Sequence, residues 1–170
     1  MTQNTKRFVR CFWALDKSLA YSRHYPAINW NTSYSEYVAE LEKWYKDNVG
    51  RKFLQYRQEI INILTEESHL MDIVKLIGED VLPDDQRLTL EMARVVRVGF
   101  LQQNAFHQDD TYVPLKKQLL MMRCILHLQH KASALVQMGV PLQQILQTGL
   151  CDKLIKMKYD IPNDRYDLFD

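Results

Sequence analysis

Apolar residues recur at intervals of three and four along most of the chain, which is the spacing of helices that bury one face. The pattern predicts helices over residues 6–23, 34–48, 51–67, 69–77, from about 83 to 99, 114–139, 142–147 and 150–159. Long stretches lack glycine and proline, which agrees with helices. The sequence therefore predicts an all-α helical bundle, with an exposed and loosely held end over residues 163–170.

Two connectors interrupt the helical pattern. Residues 24–31 are expected to be extended, because the residue before Pro26 is pushed out of the α region. A second connector, over residues 78–88, is an acidic turn that contains Glu79, Asp80, Asp84 and Asp85. The last two stand where a helix N-terminus favours negative charge, which contributes ~0.3–1 kcal/mol each. Apart from any family likeness, such an acidic run is usually a solvated face.

A polar loop separates the helix that ends near Gly99 from the helix that Pro114 opens, and it carries two aromatic rings, Phe106 and Tyr112. Buried aromatic residues are mostly core, so the residues alone favour rings that plug the bundle. The alternative is contact with a flat ligand such as a purine, because loops at the ends of rigid helices commonly carry binding residues.

The composition limits the classes of partner. With 170 residues, 46% of them hydrophobic, the chain has the size of one globular domain that buries a core. The formal net charge of +1, from 22 basic and 21 acidic residues, gives no support to binding of nucleic acid or of an anionic membrane surface. The three cysteines are widely spaced, as in reduced cytosolic proteins. No apolar run approaches the ~20 residues that span a bilayer, so we expect a protein inside the cell.

Familiar catalytic motifs are missing from the sequence, which has no G-x-x-x-x-G-K-S/T loop, no G-x-S-x-G elbow and no H-E-x-x-H helix. His127 and His130 lie three apart on a predicted helix but lack a third ligand at helical spacing. His107 with Asp109 or Asp110 would be the acid–base groups of a small enzyme, although acids beside a helix start more often cap it. We therefore expect no catalytic residue and no metal site.

Two segments of the chain resemble a known family. They are FLQQNAFHQDDTYVPL over 100–115, and FWALD, RHYPAINW and SYS over 12–16, 23–30 and 33–35. Both are similar to the C-terminal helical domain of the catalytic A subunit of V/A-type rotary ATPases, and the resemblance extends from about Phe8 to about Lys158. It implies that residues 1–170 are a single α-helical C-terminal domain, a fragment without the N-terminal barrel and the nucleotide-binding domain of that subunit.

The resemblance implies a mechanical function, in which the domain couples ATP hydrolysis or synthesis to rotor rotation and ion transport. Phe106 and Tyr112 are then implied to enclose the adenine ring of the nucleotide, and Phe106 is the better matched of the two. The implied contacts with the central stalk are Glu79, Asp80, Asp84 and Asp85.

The same resemblance implies ATP or ADP with magnesium as cofactors of the full subunit, with the phosphates held by residues that this chain lacks. The chain alone is therefore expected to be inactive and to bind no nucleotide tightly. The implied partners are B subunits, in an alternating ring of three A and three B subunits, and the central stalk. The complex would be cytoplasmic and peripheral, touching the membrane only through its ion-translocating sector. A free-standing helical scaffold that binds a partner helix through apolar grooves is the alternative.

Overall fold

The computed structural model describes residues 8–78 and 81–170. Its elements are β1 Cys11–Leu15, α1 Lys17–Tyr21, β2 Ile28–Ser35, α2 Tyr37–Glu40, α3 Glu42–Asn48, α4 Phe53–Ile77, α5 Asp84–Val96, a π-helix Arg97–Leu101, α6 Gln108–Thr111, α7 Leu115–Gln137, α8 Leu142–Leu146, α9 Leu150–Asp160 and a 3-10 helix Tyr166–Phe169. The prediction of an all-α bundle is confirmed, with one small two-stranded sheet added among the described residues.

Helix α5 forms the centre of the bundle, where α4 and α7 pack against it. Met92, Ala93, Val95 and Val96 of α5 are fully buried, as is Ile125 of α7. The apolar residues of α5 form one broad buried face, while its polar residues remain exposed or partly exposed. Because the π-helix and the loop after it continue directly from α5, the start of that loop is fixed to the best-packed part of the domain.

Within the described residues 8–23, the helix predicted over residues 6–23 is present only as the short α1 and is wrong for the rest, where residues 11–15 form a strand. Strand β1 pairs antiparallel with β2, with Cys11 opposite Ser35 at one end and Leu15 opposite Ile28 at the other. Asp16 ends the strand in an extended conformation, and its carboxylate accepts hydrogen bonds from the backbone N–H groups that open α1. The apolar residues of this segment are spaced as in a helix, which is why the pattern predicted one. The segment is a strand because it pairs with β2, and apolar spacing does not reveal that long-range pairing.

Two further helix boundaries differ from prediction. The helix expected over 34–48 is divided, because β2 extends to Ser35 and a turn at Leu41 separates α2 from α3. The two helices expected over 51–67 and 69–77 are a single helix, α4, because no glycine or proline stands between them. Of the extended connector predicted over residues 24–31, residues 28–31 are extended as the first part of β2, whereas a bend at residues 25 and 26 leads into the strand.

The chain end and one lysine are also placed differently from expectation. Residues 166–169 form a 3-10 helix whose Phe169 is buried, and Arg123 of α7 donates a hydrogen bond to the Phe169 carbonyl at 3.2 Å. The end of the chain is therefore docked on the bundle. A lysine is ordinarily expected at the surface, but Lys117 of α7 is completely buried. No helix within the described ranges is long and apolar enough to cross a membrane.

Candidate functional site

The loop between the π-helix and α7 presents both predicted rings to solvent. The Phe106 side chain is 100% exposed and that of Tyr112 is 75% exposed. The interpretation of the two rings as plugs of the bundle is therefore wrong. Burial of a phenylalanine side chain is favourable by ~1.5–3 kcal/mol, and Phe106 does not gain this within the chain.

A π-helix sets the direction in which the loop leaves α5. The carbonyl of Arg97 accepts the N–H of Gln102, five residues on, at 2.8 Å. Within this turn, Gly99 lies directly against α9, so closely that a Cβ atom there would stand 2.9 Å from the Ile155 Cα. Single turns of π-helix are rare and are frequently found at functional sites.

Two hydrogen bonds and an ion pair connect the backbone of Phe106 to a buried lysine of α9. The N–H of Phe106 donates to Asn104 Oδ1 at 2.9 Å, and the N–H of Asn104 donates to Asp110 Oδ2 at 2.7 Å. That carboxylate oxygen lies 3.7 Å from the ammonium of Lys158, and both side chains are buried. Lys158 also donates to the carbonyl of Val98 at 2.8 Å and to that of Gln102.

A second buried lysine holds the Tyr112 end of the loop. Lys117 of α7 donates to the Ile161 carbonyl at 2.6 Å, to the Lys158 carbonyl at 3.0 Å and to Asn163 Oδ1 at 3.0 Å. Asn163 in turn donates its side-chain amide to the Tyr112 carbonyl at 2.9 Å. The backbone N–H of Asn163 donates to Asp109 Oδ1 at 3.0 Å, which attaches the same segment to α6.

Burial shifts the ionisation of this cluster. Desolvation lowers the pKa of Lys117, partly offset by Asp109 and Asp110, and it lowers the pKa of Lys158, partly offset by Asp110. The pKa of Tyr159 beside them is raised, first by burial and then by the Asp110 carboxylate. The Lys117 ammonium has a hydrogen-bond acceptor for each of its three N–H groups, whereas the Lys158 ammonium has two acceptors and the carboxylate of Asp110 at 3.7 Å.

The acid–base group proposed for a small enzyme serves to hold the loop. His107 Nδ1 accepts the N–H of Asp109 at 3.2 Å, so the imidazole caps α6, and its ring lies 4.8 Å from that of Tyr159. Asp110 is 1% exposed and faces Lys158. The interpretation of these acids as helix caps is wrong, because the cap of α6 is the His107 imidazole.

The remaining predicted residues lie elsewhere. Glu79 and Asp80 lie outside the described residues. Asp84 is half-buried at the start of α5, where its Oδ2 accepts the N–H of Leu142 at 2.9 Å, and Asp85 beside it is exposed. His130 Nε2 lies 3.2 Å from Glu59 Oε2. No group of three potential metal ligands occurs within residues 8–78 and 81–170.

Sequence reasoning missed the two buried lysines. A signal was available for Lys117, since it stands four and eight residues before Met121 and Ile125, on the buried face of α7. Lys158 likewise follows the buried Cys151 by seven residues on α9. A lysine at a core position is rarely fully buried unless it is paired, so each of these positions predicts a partner nearby.

Taken together, these observations define a helical domain that presents two exposed aromatic rings on a loop attached to the bundle by polar contacts. Comparison with known proteins gives the family. The family model described as "C-terminal domain of V and A type ATP synthase" matches residues 42–146. The chain belongs to this family.

Curated relatives extend the match over nearly the whole chain. It is 54% identical over 164 residues to "V-type ATP synthase alpha chain 2" of Clostridium tetani, covering 96% of this chain and 28% of that protein. Identity is 50% to "V-type ATP synthase alpha chain" of Halothermothrix orenii, covering 99% of this chain and 29% of that protein. The chain thus spans less than a third of the length of these relatives.

A solved structure shows the same fold. The chain of "a unique ATP synthase subunit NeqB from Nanoarcheaum equitans" superposes with a TM-score of 0.59 at 22% identity, covering 74% of this chain and 29% of that one. At this identity the likeness supports the fold alone.

Proposed function

We propose that the chain acts as the C-terminal domain of a catalytic A subunit of a V/A-type rotary ATPase. In that subunit it couples ATP hydrolysis or synthesis to rotation of the rotor and so to ion transport. The observation that carries the proposal is the 54% identity to a V-type ATP synthase alpha chain over 96% of this chain, within 28% of that relative's length. Residues 1–170 are then a single domain of a larger protein, and its barrel and nucleotide-binding domain are other parts of the subunit.

Within that subunit, Phe106 and Tyr112 form a wall against the adenine ring of ATP or ADP. The full exposure of Phe106 and the attachment of its loop to α9 support this role, because a loop backbone that is already held in place loses little freedom when a flat ligand packs against the ring. Magnesium and the phosphates are held by other parts of the subunit. The isolated chain is accordingly expected to bind nucleotide weakly and to have no ATPase activity of its own.

The partners in this proposal are B subunits, which alternate with the catalytic subunits in a ring of three each, and the central stalk. Of the acidic turn, Asp85 is exposed and suited to a stalk contact, whereas the carboxylate of Asp84 is engaged with α8. Glu79 and Asp80 remain candidates from the sequence alone. The complex would be cytoplasmic and attached to the membrane only through its ion-translocating sector.

The test is Phe106→Ala in a full-length catalytic subunit whose C-terminal part is this chain. We expect nucleotide affinity to fall by ~0.5–1.5 kcal/mol, the value of an aromatic pair beyond its buried area, or about 2- to 12-fold. Calorimetric titration with magnesium ATP and ADP measures the change. In the 170-residue chain alone, the same substitution should leave the free energy of unfolding within about ±0.5 kcal/mol, because the ring is fully exposed.

Met138→Ala is the matched control, since Met138 is 78% exposed and follows the far end of α7, about 33 Å along the helix from the loop. It should leave nucleotide affinity unchanged. An unchanged affinity in Phe106→Ala, with the control behaving as expected, would remove the adenine role from this loop.

A further inference from the structure

The buried lysines Lys117 and Lys158 are a costly feature of this domain. Lys117 is 0% exposed to solvent and Lys158 is 2% exposed, and burial lowers the pKa of both. Apolar side chains of similar volume would fill such positions at no loss of stability in many proteins. A requirement other than packing therefore accounts for ammonium groups at these two positions.

The direction of their hydrogen bonds indicates that requirement. The side chain of Lys158 extends from α9 and donates hydrogen bonds to the carbonyls of Val98 and Gln102. These two carbonyls lie at the two ends of the π-helical turn that leads into the loop. The third partner of Lys158, Asp110, is a residue of α6 at the far side of the same loop. One ammonium group thus joins the beginning and the end of the loop to a rigid helix.

The charge of Asp110 is the link between this ammonium and the ring. Asp110 Oδ2 is shared between the N–H of Asn104 and Lys158, and Asn104 Oδ1 accepts the N–H of Phe106. The Phe106 ring itself has no packing neighbours that would orient it, since it is fully exposed. Its position therefore depends on the backbone, and the backbone depends on this series of polar contacts.

We propose that Lys158 and Asp110 are positioning residues that hold Phe106 in place for the adenine ring. The inference rests on the proposed function of Phe106 and extends it to residues that never touch the nucleotide. Lys117 supports the other end of the loop in the same way, because Asn163 connects it to the backbone of Tyr112. The neutral side chain in Lys158→Met leaves the carbonyls of Val98 and Gln102 without their donor and releases the loop.

The first measurement uses the 170-residue chain and asks whether the loop becomes mobile. Backbone ¹⁵N relaxation should give order parameters near the rigid value of about 0.85 for residues 104–112 in the wild type, and below about 0.6 in Lys158→Met. Lys156→Met is the matched control, because Lys156 is exposed on the same helix two residues earlier. It should leave the loop as rigid as in the wild type.

The second measurement, on the full-length catalytic protein, separates binding of the base from binding of the phosphates. Affinities for magnesium ATP and for inorganic tripolyphosphate, which lacks the base, are compared in Lys158→Met, Phe106→Ala and the double variant. We expect Lys158→Met to weaken ATP binding by about 2- to 12-fold, no more than Phe106→Ala does, with tripolyphosphate affinity unchanged. The double variant should lose no more than Phe106→Ala alone, because both changes remove one interaction.

The outcomes are distinguishable. Equal losses for ATP and tripolyphosphate would show a general structural defect and overturn the positioning role. So would an unchanged ATP affinity in Lys158→Met when Phe106→Ala loses affinity. If Phe106→Ala itself has no effect, the proposed adenine contact fails and this inference with it. Where Lys158→Met does not fold, Asp110→Asn takes its place, since the amide keeps the shape and an acceptor oxygen but loses the charge.

Discussion

Gly99→Ala tests how tightly the π-helix is fixed against α9. An added Cβ atom would lie 2.9 Å from the Ile155 Cα and 3.2 Å from the Leu154 carbonyl oxygen. Carbon atoms in favourable contact are ~3.5–4.0 Å apart, so the two helices would have to separate by roughly 0.6 Å or more. Both neighbouring atoms belong to the backbone of α9, so no side-chain rotation relieves the overlap.

Two opposing effects set the size of the change. Overpacking of this kind costs typically ~1–3 kcal/mol. Alanine also lowers the conformational entropy of the unfolded chain, which stabilises the folded state by ~0.4–1 kcal/mol. This gain applies here because Gly99 does not adopt a positive φ. We therefore expect a net loss of about 1–2 kcal/mol, and a Tm lower by roughly 2–8 °C for a chain of this size.

Urea unfolding of the 170-residue chain measures the loss directly. Ser68→Ala is the control, since Ser68 is an exposed residue within α4, and it should change stability by less than about 0.5 kcal/mol. Adding Ile155→Ala to Gly99→Ala should not restore stability, because the overlap is with the Cα atom. A Gly99→Ala chain as stable as the wild type would refute the close approach of the two helices.

Two further predictions concern ionisation. Asp16 should titrate with a pKa of about 2, against an ordinary value of 3.8, because the Ser18 hydroxyl and then the Asn29 amide donate hydrogen bonds to its carboxylate. A ¹³C NMR titration measures this pKa, and Ser18→Ala should raise it. A wild-type pKa of 3.8 would contradict the prediction. Burial raises the pKa of Glu67 above 4.5, although Arg97 at 2.8 Å opposes the shift. The folded state then retains a proton that the unfolded state has released, so this contribution to stability is complete below pH 4.5 and is lost as the pH rises through the raised pKa. Glu67→Gln should remove that part of the pH dependence in urea unfolding, and identical pH profiles of variant and wild type would count against it.

The C-terminal half of the fold could be predicted because its helices bury one face in a regular pattern. The helices expected over 114–139, 142–147 and 150–159 are observed as α7, α8 and α9 with ends within two residues of those bounds. Proline before each of the first two and glycine before the third mark their starts.

The N-terminal ribbon could not be predicted in this way, because its cause is long-range. Strand β1 is stable only through its pairing with β2, some twenty residues away, and apolar spacing within either segment does not reveal that partner. A local signal was nevertheless present in Asp16, which is a favourable residue to cap a following helix and so marks a break at residue 16.

The candidate site was predicted in part. Sequence placed Phe106 and Tyr112 on a polar loop between two helices, which the structure has, but the residues alone favoured burial, and the rings are exposed. Neither an aromatic residue nor its neighbours determine whether a loop folds inward, since this depends on anchors distant in sequence. Here those anchors are Lys117 and Lys158. The role of the rings in adenine binding stays a prediction.

The direction in which the two rings point depends on the number of residues in the π-helix over Arg97–Leu101. Removal of one residue from this turn would allow ordinary helical geometry to continue from α5, and everything after it would rotate by about 100° around the helix axis. The two rings would then face a different side of the domain, although no residue of the loop had changed. Single-residue deletions, which surface loops commonly tolerate, should therefore be far more harmful in this turn than substitutions that keep its length.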